Sequence, residues 1–215
     1  WPKDMPVTLA TLATQMISIS DNTATDILLH TLGRERVEAR LAKIGHSDPS
    51  AILPFLSTVE AFALKMDGNA ELRDRFLAAS EAEQRDILEE NRDRLDISQV
   101  DVTQLAGAPR FVDTIEWPAA PRDMVALLDY LRTVKAPLAR EIMAVNHGVP
   151  DSGRWDYLGF KGGSEPGVIQ MDWLACTKDA ECYAVVGGWT DPDKEIDQLK
   201  FASLMQRLLK LAYPD

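Results

Sequence analysis

Apolar side chains recur every three or four positions over much of the first 150 residues, which predicts a series of amphipathic helices. The second of these helices stops at Gly33, and a third is predicted over 34–44. A charged helical region follows at about 57–95, where the charges predict a solvated face. Pro121 opens another helix. We therefore predict a mostly helical subdomain over residues 1–150.

The pattern changes after this point, where short runs of strand-like composition are separated by turn residues. Three strands are predicted, over 157–161, 168–175 and 182–189. Their short links imply antiparallel pairing. A closing helix is predicted to begin at Asp191-Pro192, so that residues 151–215 hold the C-terminal strands and the closing helix. The predicted fold class is α+β, a helical subdomain plus an antiparallel sheet flanked by helices.

The chain of 215 residues carries a formal charge of −11. This acidity argues against binding through nucleic-acid phosphates and against docking on an anionic membrane. No apolar run approaches the roughly 20 residues that span a bilayer. We therefore expect partners that are neither nucleic acid nor membrane.

Two cysteines, Cys176 and Cys182, lie between the last two predicted strands. Across a hairpin they can come close enough for a disulfide, which suits an oxidising compartment. Two buried, unbonded thiols are an equally good interpretation. The spacing lacks companion ligands for zinc, so we expect no metal site and no cofactor.

Two short motifs lie far apart in the sequence, on element types that can face each other. Ser-Asp-Asn at 20–22 separates two helical stretches, and Lys-Gly-Gly-Ser at 161–164 lies on a predicted strand. Each motif alone has a simpler interpretation, because Ser-Asp-Asn caps helices and Lys-Gly-Gly-Ser forms turns. Together, and in this order, they predict an acyl-transfer site.

The predicted catalytic residues are Ser20 and Lys161. Ser20 lies in the break between two helices, where a hydroxyl can relay a proton. Lys161, on a strand that faces this break, would hold the hydroxyl in a positive field and attract a substrate carboxylate. Asn22 would donate its amide to a substrate carbonyl or to a catalytic lysine.

The residues after the lysine are predicted to contact the substrate. Gly162 and Gly163 would let a substrate backbone approach the strand closely. Ser164 would offer its N–H to an oxyanion and its hydroxyl to the substrate. The expected ligand is a small molecule or peptide that carries a carboxylate.

The segments around both motifs resemble class A β-lactamase-like serine hydrolases of the penicillin-binding and β-lactamase superfamily. The resemblance rests on residues 16–29, on Gly33-Arg-Glu-Arg-Val and on Phe160-Lys-Gly-Gly-Ser-Glu-Pro-Gly. It implies a five-stranded antiparallel sheet beside a helical subdomain. In that family a helix, two strands and the Ser-x-x-Lys segment come before the point that matches Trp1. The resemblance thus implies a fold that is incomplete at the N-terminus and a strand 182–189 with an open edge.

Carried over by this resemblance, Ser20 corresponds to the proton-shuttling serine, Asn22 to the substrate-contacting asparagine and Lys161 to the lysine of a Lys-Thr-Gly element. Two departures stand out. Gly162 takes the place of the usual threonine. For the deacylating glutamate, Glu60 is the nearest candidate general base in sequence order, and a surface or helix-capping role is its competing interpretation.

The resemblance predicts a hydrolase that works through an acyl-serine intermediate on β-lactams or related amides and esters. No serine in the chain is followed by a lysine three positions later, so the nucleophile is expected outside these residues and the chain alone is expected to be inactive. The alternative is a non-catalytic ligand-binding or scaffold domain of the same fold. A missing N-terminal fragment or self-association would complete the site. The resemblance also implies a periplasmic or secreted protein.

Overall fold

The computed structural model describes residues 4–150 and 153–214. Within these residues the chain forms eight α-helices, three strands and a last α-helix. The helices are α1 (Leu9–Ser18), α2 (Asn22–Leu32), α3 (Arg34–Lys43), α4 (Thr58–Lys65), α5 (Ala70–Ala78), α6 (Glu81–Glu90), α7 (Pro121–Thr133), α8 (Pro137–Met143) and α9 (Gln198–Leu211). The strands are β1 (Tyr157–Glu165), β2 (Val168–Cys176) and β3 (Cys182–Thr190). Short 3-10 turns lie at Pro49–Ile52, Asp67–Asn69, Ile97–Gln99 and Val102–Leu105.

The first two helices begin where the sequence offers a capping side chain. Thr8 Oγ1 accepts a hydrogen bond from the Thr11 N–H at 3.1 Å, at the start of α1. Asp21 Oδ1 accepts from the Ala24 N–H at 2.9 Å, at the start of α2. The third predicted helix is also confirmed, because α3 covers all but the last residue of 34–44.

Asp26 joins α2 to α4 through hydrogen bonds to backbone N–H groups. Its two carboxylate oxygens accept from the Thr58 N–H at 2.7 Å and from the Val59 N–H at 2.9 Å. A negative charge at the first turn of a helix satisfies N–H groups that have no partner within the helix. This contact fixes the start of α4 against α2, and so determines where Lys65 at the other end of α4 lies.

The charged region predicted at 57–95 is divided into α4, α5 and α6, and the prediction of a solvated face is wrong for two of its residues. Lys65 is fully buried, and Arg73 is 8% exposed. Arg73 donates hydrogen bonds to the carbonyls of Leu64 and Met66, and Lys65 contacts two carboxylates. These partners replace the water that each charge loses on burial.

The predicted start of the closing helix at Asp191-Pro192 is wrong. α9 begins at Gln198, where Asp197 accepts a hydrogen bond from the Lys200 N–H at 2.9 Å. The Asp191 N–H donates to the Gly167 carbonyl at 2.8 Å, which fixes this part of the chain beside the β1–β2 turn. The helix begins only after the chain has left that turn.

The three strands form one antiparallel sheet in the order β1–β2–β3. Pairing of β1 with β2 starts at Glu165 and Val168, on either side of a turn made by Pro166 and Gly167. All three predicted strands are confirmed, and each is longer than predicted. The α+β class is confirmed, with nine α-helices and a three-stranded antiparallel sheet in the described part of the chain.

The two faces of the sheet pack against different helices. One face packs against α9 through a cluster that includes Leu158, Ile169, Met171, Trp173, Val185, Phe201 and Met205. The other face packs against α7 and α8, where Leu174 and Val186 meet Leu128 and Met143. Because side chains alternate along a strand, Lys161 lies on this second face, toward the helical part of the chain.

Cys176 and Cys182 form a disulfide, which decides between the two interpretations of the sequence. They are directly opposed at one end of the β2–β3 pair, so the bond closes the hairpin that joins these strands.

Within the described residues, β1 and β3 each have one edge that pairs with no other strand. No helix in residues 4–150 and 153–214 is both long enough and apolar enough to cross a membrane.

Candidate functional site

Ser20 lies in the break between α1 and α2, and its side chain is exposed. Its φ angle is +55°, a left-handed conformation that a residue with a Cβ rarely adopts. The Asp21 N–H donates to the Gln15 carbonyl at 3.2 Å, which holds the chain in this sharp bend. The bend places the Ser20 hydroxyl on the side of the helix pair that faces β1.

Lys161 of β1 reaches that hydroxyl. Its Nζ lies 2.8 Å from Ser20 Oγ, and it also donates a hydrogen bond to the carbonyl of Gly162. The structure therefore brings together the two residues that the sequence predicted as catalytic, although 141 positions separate them. Because Lys161 donates to Ser20 Oγ, the hydroxyl proton of Ser20 is directed toward another acceptor.

Asp172 lies directly opposite Lys161 in the β1–β2 pair, and it is 3% exposed. Burial raises the pKa of its carboxyl to about 6, although Gln170 Nε2 donates to Asp172 Oδ1 at 2.7 Å and the charge of Lys161 acts in the opposite direction. Burial also lowers the pKa of Lys161, and the negative charge of Asp172 partly offsets this effect. Each group therefore favours the charged form of the other, against the effect of burial.

The motifs and patterns of the sequence predicted no functional role for Asp172. The available signal was an acidic residue between Met171 and Trp173, in a strand whose alternate side chains are apolar. That alternation predicts the face of the sheet on which Asp172 lies. Only the pairing register places it across from Lys161 rather than from a neighbouring residue.

The remaining predicted residues lie next to this pair. Asn22 is the first residue of α2, two positions after Ser20, and its side chain is exposed. Gly163 and Ser164 are exposed on β1. A Cβ placed on Gly163 would meet no atom within 4 Å, so open space lies above the strand there.

Gly162, at the position where the resemblance implies a threonine, has no room for a side chain. A Cβ on this residue would lie 2.7 Å from the ring of Phe160 and 3.0 Å from the Gln170 carbonyl. Both approaches are closer than normal van der Waals contact. Phe160 packs against Trp173, with ring centroids 4.9 Å apart, so the ring cannot move aside without disturbing the core. The departure at this position therefore follows from packing beneath the strand.

Glu60 lies at the start of α4, in a capping box with Ser57. Its Oε2 accepts from the Ser57 N–H at 2.7 Å, and its Oε1 accepts from Arg34 at 2.7 Å. Within the described residues no hydrogen bond joins Glu60 to Ser20 or Lys161. Its use as a general base stays a prediction, and its contacts are those of a helix cap.

A second group of charges lies at the far end of β1. The buried Lys65 contacts the carboxylates of Glu116 and Glu165, the latter at 2.7 Å. Burial raises the pKa of Glu116 to about 8, and a hydrogen bond with Glu165 adds to the effect while Lys65 opposes it. The sequence did not predict this group, because its members come from α4, the segment before α7, and β1.

Asn146 joins the region after α8 to the end of α1. Its Nδ2 donates to the Ser18 carbonyl at 2.7 Å. This bond holds the helix break near the strand that carries Lys161.

Among the described residues no group of three or more His, Cys, Asp and Glu side chains is placed to hold a metal ion.

The same fold occurs in solved β-lactamases. A class A β-lactamase from Clostridium kluyveri DSM 555 matches 97% of this chain and 66% of its own, with 16% identity and a TM-score of 0.58. A β-lactamase from Sphaerobacter thermophilus DSM 20745 matches 97% of this chain and 63% of its own, with 18% identity and a TM-score of 0.54. The structure of L2 complexed with relebactam matches 94% of this chain and 64% of its own, with 16% identity and a TM-score of 0.52.

At this low identity the three structures establish the fold alone, and the chain spans about two thirds of the length of each. A comparison with curated proteins gave no match. The model of the Beta-lactamase enzyme family matches residues 2–144, which is more than half of the chain. The resemblance noted from the two motifs is thereby confirmed, and the chain belongs to the Beta-lactamase enzyme family.

Proposed function

We propose that this chain provides the proton-relay and carboxylate-binding part of a β-lactamase-like serine hydrolase that works through an acyl-serine intermediate. The substrates would be β-lactams or related amides and esters. The observation that carries the proposal is the 2.8 Å contact between Lys161 Nζ and Ser20 Oγ, which joins the helix break to the strand beside open space. In this proposal the serine nucleophile lies outside these 215 residues.

The contacts of Ser20 support a role in proton transfer. The ammonium of Lys161 donates to the Ser20 oxygen, so the Ser20 proton is free to pass to the leaving nitrogen of an amide. Burial lowers the pKa of Lys161, which favours proton transfer from it back to Ser20. The same positive charge would attract a substrate carboxylate, and Asn22 would hold the substrate carbonyl.

The proposal favours a penicillin-binding or esterase-like enzyme over an efficient antibiotic-degrading one. Rapid hydrolysis of an acyl-enzyme needs a general base beside the attacking water. Glu60 is engaged by Arg34 and Ser57 in a helix cap. Without another base the acyl-enzyme would be hydrolysed slowly.

Ligand binding by the isolated chain tests the carboxylate-binding part. We expect benzylpenicillin to shift the backbone amide signals of Gly163 and Ser164 in an NMR titration of the labelled chain. Lys161→Met should weaken this binding by about tenfold, because it removes a charged hydrogen-bond donor. Lys135→Met is the matched control, since Lys135 is exposed. Equal binding by both variants, or no binding by the original chain, would contradict the proposal.

Covalent labelling tests where the nucleophile lies. We expect no mass increase when these 215 residues are incubated with a penicillin and analysed by intact-protein mass spectrometry, because no Ser-x-x-Lys sequence is present to be acylated. A penicilloyl adduct on this chain would show that one of its own residues is the nucleophile.

The second candidate function is a non-catalytic ligand-binding or scaffold domain with the same cleft. The absence of Ser-x-x-Lys from the 215 residues favours it. If the parent gene also lacks this element, the chain is a non-catalytic domain.

For either function we propose a periplasmic or secreted location, which the disulfide supports.

A further inference from the structure

Asp172 is a buried carboxylate among apolar neighbours. It lies on the face of the sheet that packs against α7 and α8, and it is 3% exposed. The next residue on this face of β2 is Leu174, and the residue opposite Asp172 on β3 is Val186. Burial of a charge is unfavourable, and a buried carboxylate usually contacts a cation directly. Within the described residues Asp172 forms no ion pair with Lys161, although the two lie opposite each other. The packing of this face therefore does not explain the carboxylate.

Gln170 holds the Asp172 side chain in place. Its Nε2 donates a hydrogen bond to Asp172 Oδ1 at 2.7 Å. The two side chains lie on the same face because they are two positions apart on β2. Gly188 lies opposite Gln170 on β3, and a Cβ at this position would overlap Gln170 Oε1. The absence of a side chain at Gly188 thus lets the amide oxygen lie over β3 and directs the amide nitrogen toward Asp172.

Lys161 keeps a hydrogen-bond donor because Asp172 does not contact it. An ammonium has three N–H donors. Within the described residues, two of those on Lys161 are used, one by Ser20 Oγ at 2.8 Å and one by the carbonyl of Gly162. A carboxylate in direct contact would compete with the substrate for the same charge. With Asp172 held by Gln170, the third N–H is available to a substrate carboxylate.

Asp172 nevertheless affects the charge of Lys161 through space. Burial lowers the pKa of Lys161, and among the described residues Asp172 is the only charged group that raises it. The other charged or titratable side chains of the surrounding elements are exposed or bound elsewhere. Arg122 of α7 and Glu141 of α8 are exposed. The bound ones are Arg140 over the ring of Tyr157, Tyr157 on the Arg140 carbonyl, Asp129 with Arg132, Asp123 with Ser47 and Ala120, and Asp21 with Ala24.

We propose that Asp172 is a positioning residue of the site, whose carboxylate is held out of contact with Lys161 and keeps the Lys161 ammonium charged for a substrate carboxylate. This inference rests on the proposed function, because it assumes that the substrate carboxylate binds at Lys161. It adds the control of the site by pH: Asp172 extends carboxylate binding to a higher pH than a buried lysine alone would allow.

A purely structural role for Asp172 makes a different prediction. If the carboxylate only joined β2 to its neighbours, its neutralisation would change the stability of the fold and leave the charge state of Lys161 as it is. If Asp172 acts on Lys161, its neutralisation changes the pH at which Lys161 loses its proton. The pKa of Lys161 therefore separates the two roles.

The first measurement is an NMR titration of the isolated chain with an isotope label at the Cε of lysine. The signal of Lys161 is the one that Lys161→Met removes. We expect Asp172→Asn to lower the pKa of Lys161 by about 1, because it removes the opposite charge. Asp179→Asn is the matched control, since it makes the same change in net charge at an exposed residue between β2 and β3. It should leave the pKa of Lys161 unchanged.

The reverse measurement does not depend on the Asp172 variant. A coupling between two titrating groups is reciprocal, so each charge shifts the pKa of the other by the same amount. Lys161→Met should therefore raise the pKa of Asp172 above its value of about 6. A carboxyl label on aspartate reports this titration, and the rise should equal the fall seen for Lys161.

Binding of benzylpenicillin, measured against pH, connects the pair to the ligand. We expect the affinity of the original chain to fall where Lys161 loses its proton, and that of Asp172→Asn to fall about 1 pH unit lower. Near neutral pH the variant should bind at least as tightly, because its ammonium is still charged and a nearby negative charge has been removed. A variant that merely disturbed the site would bind more weakly at every pH.

Each result has a distinct meaning. An unchanged pKa of Lys161 in Asp172→Asn, or of Asp172 in Lys161→Met, overturns the inference and leaves the proposed function standing. Loss of affinity at the same alkaline pH in the original chain and in Asp172→Asn also overturns it. If the original chain does not bind benzylpenicillin near neutral pH, the proposed function fails and the inference fails with it.

Discussion

Ser20 holds a strained backbone conformation at the position where the proposed chemistry needs a hydroxyl. A left-handed φ in a residue with a Cβ costs roughly 1–2 kcal/mol, and glycine would avoid that cost. Strain of this kind is retained where surrounding contacts fix the backbone, often at functional sites. Here the contacts are the Asp21 cap of α2 and the Lys161 ammonium.

Substitution of Ser20 by two small residues separates strain from chemistry. Both Ser20→Gly and Ser20→Ala remove the hydroxyl that Lys161 contacts, but only glycine relieves the positive φ. We expect the glycine variant to exceed the alanine variant in free energy of unfolding by about 1 kcal/mol. Urea denaturation at neutral pH measures this difference. Equal stabilities would mean that the bend at residue 20 is not strained in solution.

Asp172 makes stability depend on pH. Burial raises its pKa to about 6 in the folded chain, whereas an unfolded aspartate titrates at about 4. The folded state therefore binds the proton more tightly. The stability due to this proton is fully present below pH of about 4 and is lost as pH rises through about 6. The loss is of order 3 kcal/mol for a difference of about two units.

The variant Asp172→Asn should remove this dependence, because asparagine does not titrate. We expect the free energy of unfolding of the original chain to fall relative to that of the variant between about pH 4 and pH 7. Denaturation curves at several pH values measure the difference, and all other titrating groups are common to both proteins. Parallel curves across this range would show that Asp172 is not buried as described.

At the scale of elements, the β2–β3 hairpin depends on its disulfide. Cys176 and Cys182 close the end of the pair that lies opposite the β1–β2 turn. We expect the double substitution Cys176→Ser and Cys182→Ser to lower the free energy of unfolding by about 2 kcal/mol, as closure of a short loop predicts. Thermal melts with and without reductant provide the measurement. Reductant should leave the melting temperature of the double variant unchanged. If reductant also left that of the original chain unchanged, the disulfide would not be present in solution.

The elements also show how much of the fold can be predicted from sequence. The end of the second helix at Gly33 and the three strand segments depend on neighbouring residues, and these predictions were confirmed. The start of α9 was predicted wrongly because the Asp191 N–H bonds to Gly167, a residue distant in sequence. Charge patterning failed at Lys65 for the same reason, since its partners come from other elements.

At the scale of the whole molecule, the sheet and its covering helix leave apolar surface exposed. β3 has one unpaired edge within the described residues. α9, which packs against β2 and β3, exposes several leucines: Leu199, Leu204, Leu208 and Leu211, at 83%, 52%, 43% and 79%. An unpaired strand edge beside apolar side chains favours association with another chain.

We therefore expect the isolated chain to form dimers as its concentration rises. Sedimentation velocity over a concentration series should show the shift from monomer to dimer. Leu208→Lys should suppress it, because it places a charge among the exposed leucines of α9. Leu77→Lys, on α5, is the matched control, since that leucine is 40% exposed and lies on a different helix. A monomer at all concentrations would contradict the prediction.

The sequence by itself determined the element types, the α+β class and the two motifs that carry the family resemblance, because periodicity, capping and motif spacing are local properties of a chain. The tertiary structure decided which side chains meet. The contact of Lys161 with Ser20, the position of Asp172 opposite Lys161, the disulfide and the burial of Lys65 between Glu116 and Glu165 all join residues from separate elements. Such contacts depend on strand register and helix packing, which the local pattern of a sequence does not specify.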